Sequence, residues 1–528
     1  MTAPNTMTAP TWLRWAWIAP AGFLLAFMVV PMASLAGQVL SPGTIEYVSN
    51  SLAWRVAGLA TVQALASTAV SLIVGLPMAN VLTRYHFPGR RWALALATVP
   101  FVLPTVVVAL AFRSLVGSDL GSGFLIVVLA HAYLNMAVVV RIVGARWSTI
   151  DPRLDIAART LGASRWTAFR TVTLPALGPA IASAAAIVFV FSFTSLGIVL
   201  LLGDSTTRTL ESLVLRQTSI LLDFQAAAVS AAIQAIVVGS VLWWAARTRN
   251  AISGGALRTF RLRRPLGSSR WAVGIVVTAT VVIVLAPVSS LVWSSVRSSS
   301  GFTMSWWAIF AGFETIDAGS TRIGSPLSAM ARSLSFALIT GLVAAAIGGL
   351  AAMSVLAHRL GRAFALATAL PLGISAATLG LGTMLAYGRP PVDLRATGLL
   401  IPIAHALIAV PLVVAVATPT LRSTDSRLVT VAATLGARPS RAWWTGYGPT
   451  LRTVMIAAGG LACAVSLGEF GAASFLARAD GPTVPLVIAR LLGRPGEASF
   501  GVAAAMAVVL VVMTTTLVAA VDRGGRRS

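Results

Sequence analysis

Twelve apolar segments, each long enough to cross a bilayer, recur along this chain. A helix needs roughly 20 mostly apolar residues to span a hydrocarbon core of about 30 Å. The segments lie near 16–37, 57–82, 92–112, 124–143, 177–202, 225–246, 271–294, 333–357, 363–386, 397–419, 453–477 and 499–521. Six fall in each half, so the sequence predicts an all-α integral membrane protein with about 12 transmembrane helices in two tandem six-helix repeats.

The composition excludes a soluble globular protein. Of the 528 residues, 57% are hydrophobic and only 10% are charged, with a mean hydropathy of +0.87. Soluble domains carry charge on about a quarter of their residues. We therefore expect membrane lipid to surround most of the chain.

The net charge of +24 reflects topology. The chain contains no lysine, so all 39 basic residues are arginine. If Met1 starts in the cytoplasm, most arginines fall in inside loops and most acids outside, as the positive-inside rule requires. We expect a bacterial inner-membrane protein with both termini cytoplasmic, a first span that is retained, and no nucleic-acid partner. The single cysteine, Cys463, excludes a disulfide framework or a thiolate metal site within one chain, and no metal or cofactor is expected.

A polar insert occurs twice in this apolar chain. Residues 151–175 read DPRLDIAARTLGASRWTAFRTVTLP, and residues 425–449 read DSRLVTVAATLGARPSRAWWTGYGP, identical at 11 of 25 aligned positions. Each insert follows the fourth span of its half. We therefore predict a first repeat over 1–246, a basic cytoplasmic linker over 247–270 and a second repeat over 271–528.

Local chemistry predicts a helix, a glycine turn and a second helix in the first insert. Asp151 can act as an N-cap with Pro152 at the first helical position. Gly162 can take a positive φ and end the helix near Leu161. Ser164 can cap a second short helix that finishes before Pro175.

The residues of both inserts predict that each forms a shallow apolar surface framed by arginines. Such a surface suits docking into a groove on a partner protein. The alternative is a helical loop that packs only against its own bundle. Two copies at matching positions favour docking, because a dimeric partner would require a pair of such elements.

The insert resembles the EAA motif of ABC importer permeases, E-A-A-x-x-x-G followed after nine residues by I-x-L-P. The glutamate position of the motif holds Ile156 in the first copy and Thr430 in the second. Matching residues are Ala157, Ala158, Gly162, Val172, Leu174 and Pro175 in the first copy, and Ala432, Gly436 and Pro449 in the second.

The resemblance implies a type I importer fold in which the short helix before the glycine couples the permease to an ATPase. The substituted glutamates put a glutamate-mediated contact to the ATPase in doubt. It also implies a cytoplasmic ATPase dimer and a periplasmic or lipid-anchored binding protein as partners. A P-loop needs a lysine at the phosphates, and this chain has none, so the ATPase would be a separate chain and the permease would not be an enzyme.

The fused two-times-six form resembles thiamine and iron(III) permeases. Residues 193–211 and 466–477, FTSLGIVLLLGDSTTRTLE and SLGEFGAASFLA, look most like the thiamine type. Sulfate, phosphonate or polyamine relatives remain open as alternatives.

Polar residues within the spans are candidates for the substrate path. Glu469 is the carboxylate placed inside a span, and it could meet a cationic substrate or touch water at the helix end. Ser466, Ser192 and Thr194 could line the same path or bond neighbouring helices. His131 and His405 occupy equivalent spans, and a structural role bonding neighbouring helices is favoured over a proton relay or metal pair.

Two other classes of membrane protein remain as alternatives. A secondary transporter of the major facilitator type also has two six-span halves. It gives no reason for a helix–turn–helix insert after spans four and ten. An intramembrane enzyme would need a convergent acid, base or metal set, which the sequence does not contain.

Overall fold

The structure is a computed structural model that describes residues 11–49, 52–117, 123–249, 262–314, 325–357, 361–389, 392–478 and 481–526. Nearly every element in it is helical. The α-helices, in chain order, are α1 (Ile18–Leu24), α2 (Val30–Val39), α3 (Thr44–Ser49), α4 (Leu52–Arg84), α5 (Arg90–Val102), α6 (Thr105–Val116), α7 (Phe124–Trp147), α8 (Pro152–Thr160), α9 (Arg165–Ala168), α10 (Leu174–Phe193), α11 (Gly197–Leu202), α12 (Leu210–Ser219), α13 (Phe224–Arg249), α14 (Ser268–Ser294), α15 (Ser305–Ala311), α16 (Pro326–Ala357), α17 (Gly361–Ala369), α18 (Ala376–Tyr387), α19 (Leu400–Ser423), α20 (Arg427–Thr434), α21 (Pro439–Gly468), α22 (Gly471–Leu476), α23 (Val484–Leu492) and α24 (Glu497–Arg526).

Short elements complete the description. The 3₁₀ helices are Thr11–Arg14, Leu370–Gly373 and Leu394–Thr397, and the π turns are Leu25–Val29 and Phe169–Thr173. Two-residue strands form two small hairpins, β1 (Arg297–Ser298) with β2 (Gly301–Phe302) and β3 (Gly388–Arg389) with β4 (Val392–Asp393). The β3–β4 pair is antiparallel, with Gly388 opposite Asp393.

Ten helices in the described part of the chain are long and apolar enough to cross a membrane. Two helix pairs pass the same test together, Arg90–Val102 with Thr105–Val116 and Ala363–Gly373 with Ala376–Tyr387. Counted as single spans, these pairs bring the total to 12. The predicted all-α membrane architecture is therefore confirmed.

The third and ninth segments, predicted as spans over 92–112 and 363–386, are bent. The first pair bends by 105° and the second by 96°. At the first bend, Leu103 is extended because it precedes Pro104, whose ring disfavours helical geometry in the preceding residue. At the second, Ile374 is extended and Ser375 starts a new helix as its N-cap.

The fifth and eleventh segments were predicted to continue over 177–202 and 453–477, and this is wrong. Helix α10 ends at Phe193 and α21 ends at Gly468, and each is followed by a six-residue helix, α11 or α22. The residues at the breaks, 194–196 and 469–470, include Thr194 and Glu469, two of the four polar residues that the sequence proposed for the path.

Helix contacts divide the chain into two compact units. One unit comprises residues 1–45, 215–229 and 298–528, and the other comprises 46–214 and 230–297. These boundaries differ from the two repeats predicted at 1–246 and 271–528. The difference arises because the first span of each predicted repeat, and residues 215–229 of the first, belong to the unit that the other repeat mainly builds. Half of the predicted linker, residues 250–261, lies outside the described residues.

In the unit built mainly by 298–528, helices α16, α19 and α21 form the core. The first span, α1 and α2, packs here beside α18. Tyr387 at the end of α18 donates its hydroxyl to the carbonyl of Ala26 at 2.6 Å. Leu24 and Met28 share an apolar cluster with Leu379.

In the unit built mainly by 46–214, helices α4, α7 and α10 form the core, and α14 packs beside α5 and α6. Tyr133 of α7 donates to the carbonyl of Val284 in α14 at 3.1 Å. Ser114 at the end of α6 lies 2.7 Å from the hydroxyl of Ser290 in α14.

The central helix crossing has the same geometry in both units. A Cβ on Gly75 of α4 would lie 2.7 Å from the Cβ of Val139 in α7, closer than side-chain atoms approach. A Cβ on Gly348 of α16 would lie 2.7 Å from the Cβ of Val413 in α19. Small residues at such crossings let membrane helices pack closely.

Candidate functional site

The first insert, residues 151–175, begins with the predicted cap. Asp151 accepts the backbone N–H of Arg153 at 2.8 Å and is the N-cap of α8. Pro152 occupies the first helical position, where no intrahelical partner for an N–H is lost. The first turn of α8 forms as the sequence predicts.

The glycine turn also forms as predicted. Helix α8 ends at Thr160, and Gly162 follows with a φ of +88°. Ser164 then caps α9 by accepting the N–H of Thr167 at 3.1 Å. The positive φ explains why a glycine stands between the two helices.

The second segment repeats this geometry with one change. Asp425 accepts the N–H of Arg427 at 2.9 Å, but Ser426 is the N-cap of α20. Helix α20 ends at Thr434 and Gly436 has a φ of +87°. The two copies therefore share the same helix and the same turn.

The second helix of each segment continues into a membrane span, and the predicted end before Pro175 is wrong. Helix α9 passes through the π turn Phe169–Thr173 into α10, so Pro175 lies near the start of α10. The wider π turn carries the helix past a proline that cannot donate to its helical partner. In the second copy, α21 runs from Pro439 through Pro449 without a break.

Large apolar side chains are exposed at equivalent places in both segments. Leu161 and Leu435, beside the turn glycines, are 88% and 83% exposed. Leu154 and Leu428 are also exposed, as is Trp166. Ala157 is exposed and Ala158 and Ala432 are half-buried, so small residues separate the larger ones. At the position of the motif glutamate, both Ile156 and Thr430 are exposed.

A histidine and a carboxylate meet in the unit built mainly by 298–528. His405 Nε2 lies 3.2 Å from Glu469 Oε2. His405 Nδ1 lies 2.8 Å from Ser466 Oγ. The Glu469 side chain is only 9% exposed, and it accepts the N–H groups of Ala472 and Ala473 at 3.2 Å each. The carboxylate therefore starts α22 and joins it to α19.

The equivalent histidine in the other unit has different partners. His131 Nδ1 lies 2.8 Å from Gln63 Nε2, which also donates to Ser67 Oγ at 2.7 Å. Both histidines bond a neighbouring helix, in agreement with the structural role favoured from the sequence.

The remaining candidates for the path divide between two kinds of bond. Ser192 Oγ accepts from Asn135 Nδ2 at 3.3 Å, which links α10 to α7. Thr194 donates to the carbonyl of Val190 in its own helix at 2.8 Å. Ser466 and Glu469 both contact His405. Ser192 and Thr194 bond different partners, Asn135 and Val190.

Several buried polar residues were missed from the sequence. Glu211 is 3% exposed, and its Oε1 accepts from Gln234 Nε2 at 3.2 Å. Gln63 and Asn135 are buried amides within long apolar helices. A search of the spans for amides would have found the last two. Among the described residues, no group of three or more His, Cys, Asp or Glu side chains could hold a metal ion.

Comparison with known proteins gives one family model that matches part of the chain and several related permeases. The model of the family described as "Binding-protein-dependent transport system inner membrane component" matches residues 71–253. The sulfate transport system permease protein CysT of Salmonella typhimurium is 30% identical over 236 residues, which cover 42% of this chain and 85% of that protein.

Two further relatives differ in length and named substrate. The molybdate/tungstate transport system permease protein WtpB of Thermococcus kodakarensis is 29% identical, over 34% of this chain and 74% of its own length. The thiamine transport system permease protein ThiP of Brucella suis is 25% identical over 533 aligned residues, 95% of this chain and 94% of that protein. The sulfate and molybdate proteins thus align with part of this chain, and the thiamine protein aligns with nearly all of it.

Proposed function

Because the chain belongs to the family of binding-protein-dependent transport system inner membrane components, the permeases of ABC importers, we propose that it forms the substrate path of an importer driven by a separate ATPase. Family membership makes the chain a multi-pass inner-membrane permease subunit. It also rules out the alternative of a major-facilitator carrier.

The paired docking segments carry the proposal for coupling. Both present an exposed leucine beside a glycine of positive φ, Leu161 with Gly162 and Leu435 with Gly436. Exposed apolar side chains of this size are stabilised by covering them with another protein. We assign the cover to an ATPase dimer, one subunit at each segment, with Ala157, Ala158 and Ala432 leaving room for its surface.

The orientation of the protein in the membrane follows from assigning the ATPase to these segments. If the ATPase is cytoplasmic, both docking segments and both termini lie in the cytoplasm, as the arginine distribution predicts. A binding protein would then deliver substrate from the periplasm to the opposite side. The family description names binding-protein dependence for the group as a whole.

The expected path residues take a different role in this proposal. Glu469 is already matched by His405 and by two backbone N–H groups. Ser466 and Ser192 each bond a neighbouring helix, and Thr194 bonds its own. We propose that these groups fix the broken ends of α10 and α21, in place of meeting substrate charge directly.

For the substrate we propose a thiamine-like cation. The support is the alignment with a thiamine permease over 95% of this chain, which spans both halves and the segment between them. Iron(III), the other substrate expected from the fused form, has no support from the relatives described above. The second candidate is an oxyanion, since the sulfate and molybdate/tungstate permeases are 29–30% identical over part of the chain.

Uptake by cells that lack this chain tests the substrate. A deletion strain and the same strain carrying the intact chain are supplied with labelled thiamine, sulfate or molybdate. We expect thiamine uptake to fall in the deletion strain and to return with the intact chain, while uptake of both oxyanions is unchanged. Loss of sulfate or molybdate uptake with normal thiamine uptake would reject thiamine in favour of the oxyanion.

A further inference from the structure

The two docking helices are anchored by different means. In the second copy, Val429 of α20 is buried against α21, and a Cβ on Gly446 would lie 2.5 Å from its Cγ2. The aligned positions of the first copy hold Asp155 and Val172. A charged side chain thus replaces the apolar anchor, and a valine replaces the glycine that received it. No residue of α8 is buried.

The chain that joins the two repeats supplies a contact at this place. Arg263 lies beside the end of α4, where its N–H donates to the carbonyl of Arg84 and its carbonyl accepts from the N–H of His86, both at 2.8 Å. These bonds form an isolated parallel bridge between Tyr85 and Arg263. The backbone of Arg263 is therefore fixed on both sides.

The side chain of Arg263 then reaches the first turn of α8. One guanidinium nitrogen donates to the carbonyl of Pro152 at 3.2 Å, and the other lies 4.0 Å from Asp155 Oδ2. Both side chains of the ion pair are about a third exposed or less. An ion pair at this distance is weak alone, but here the same fork also makes a charge-assisted hydrogen bond from a fixed backbone.

We propose that the described end of the linker, residues 262–270, acts as a strap, with Arg263 as a positioning residue that holds the first docking helix, α8, in place of the apolar anchor used by α20. The effect of the strap on ATP hydrolysis rests on the proposed docking function. The strap itself is a contact within this chain and does not depend on that function. The two docking helices of one chain are then held by unlike contacts, and each can be loosened separately.

Spin labels on equivalent residues test the strap. Thr160 and Thr434 are the last residues of α8 and α20, both exposed, and each bonds the carbonyl three residues before it at 2.8 Å. Because Cys463 is the single cysteine, a Cys463→Ala background allows Thr160→Cys or Thr434→Cys to be labelled alone in the full chain. Each label is measured with Arg263 intact and with Arg263→Ala.

We expect Arg263→Ala to increase the mobility of the label at 160 and to leave the label at 434 unchanged. The substitution keeps both backbone hydrogen bonds and removes only the side-chain fork. Arg264→Ala is the matched control, because it removes the same charge from the neighbouring, exposed residue and should change neither label. An unchanged label at 160, or equal loosening at both positions, would overturn the strap.

Reconstituted transport separates the strap from the docking function. With the ATPase and binding protein present, Arg263→Ala should reduce stimulated ATP hydrolysis, and Arg264→Ala should not. A label at 160 that loosens while stimulation stays normal would support the strap and count against α8 as a docking element.

Discussion

His405 Nε2 lies 3.2 Å from the Glu469 carboxylate at the point where α21 ends and α22 begins. Ser466 contacts the other ring nitrogen, so three polar side chains meet in a buried part of an apolar bundle. This cluster joins α19 to the broken end of α21. We therefore expect substitutions in this cluster to lower the stability of the protein.

Replacing Glu469 with Leu should destabilise the protein. The N–H groups of Ala472 and Ala473 would lose their acceptor, at a cost of about 1–3 kcal/mol for each group left buried and unpaired. The measurement is thermal inactivation in detergent, followed by size-exclusion chromatography. Glu46→Leu, at an exposed carboxylate of α3, is the control and should have little effect.

Glu469→Gln separates a structural role from a role in the path. The amide keeps the shape and one carbonyl acceptor, so most folded protein should remain. We expect each folded molecule to transport a cationic substrate with normal affinity. Weaker uptake by a folded Gln variant would return Glu469 to the path, because removing the charge would have removed its attraction for the cation.

Replacing Gly162 or Gly436 with Val should uncouple ATP hydrolysis from transport. Both glycines have φ near +88°, where an L-residue costs roughly 1–2 kcal/mol, and the turn would change direction. Insertion into the membrane should be unaffected. Asn tolerates this φ better, so Gly162→Asn should retain more coupling than Gly162→Val. Wild-type stimulation of ATP hydrolysis and wild-type uptake in both Val variants would remove the turn from the coupling mechanism.

Leu161→Asp and Leu435→Asp should weaken ATPase binding without loss of stability. Both side chains are more than four-fifths exposed in the chain alone, so the substitution removes no internal packing. A charge would instead be desolvated at the proposed interface. Co-purification of the ATPase measures the effect, with Leu40→Asp, at a leucine 84% exposed at the end of α2, as the control. Undiminished co-purification of the Asp variants would place the docking surface elsewhere.

Local signals predicted the caps and glycine turns of the two inserts because these depend on nearby residues. Asp151, Gly162 and Ser164 each act within three residues of their own position, through a cap, a turn and a second cap. The end of the second helix was misplaced because a proline can also lie just inside a helix start. Pro175 does so after a π turn.

Features that depend on distant partners could not be read from the sequence. The 105° bend at Leu103 was missed for a different reason, because hydropathy identified 92–112 as a span and the local signal of Pro104 was not used. The contact of His405 with Glu469 joins two separate helices. Arg263 belonged to a stretch interpreted only as a basic linker, and its bonds to Pro152 and Asp155 depend on the folded positions of both.

The first span packs beside α18, a helix that is synthesised much later. Residues 18–39 leave the ribosome first, and the helix they meet ends at Tyr387. Translation at 5–20 residues per second separates the two by on the order of 20 to 70 seconds. During that interval the first span lies in the bilayer with lipid where Tyr387 will later bond Ala26. Its mean hydropathy of 2.0 favours insertion of this span on its own, before that partner has been made.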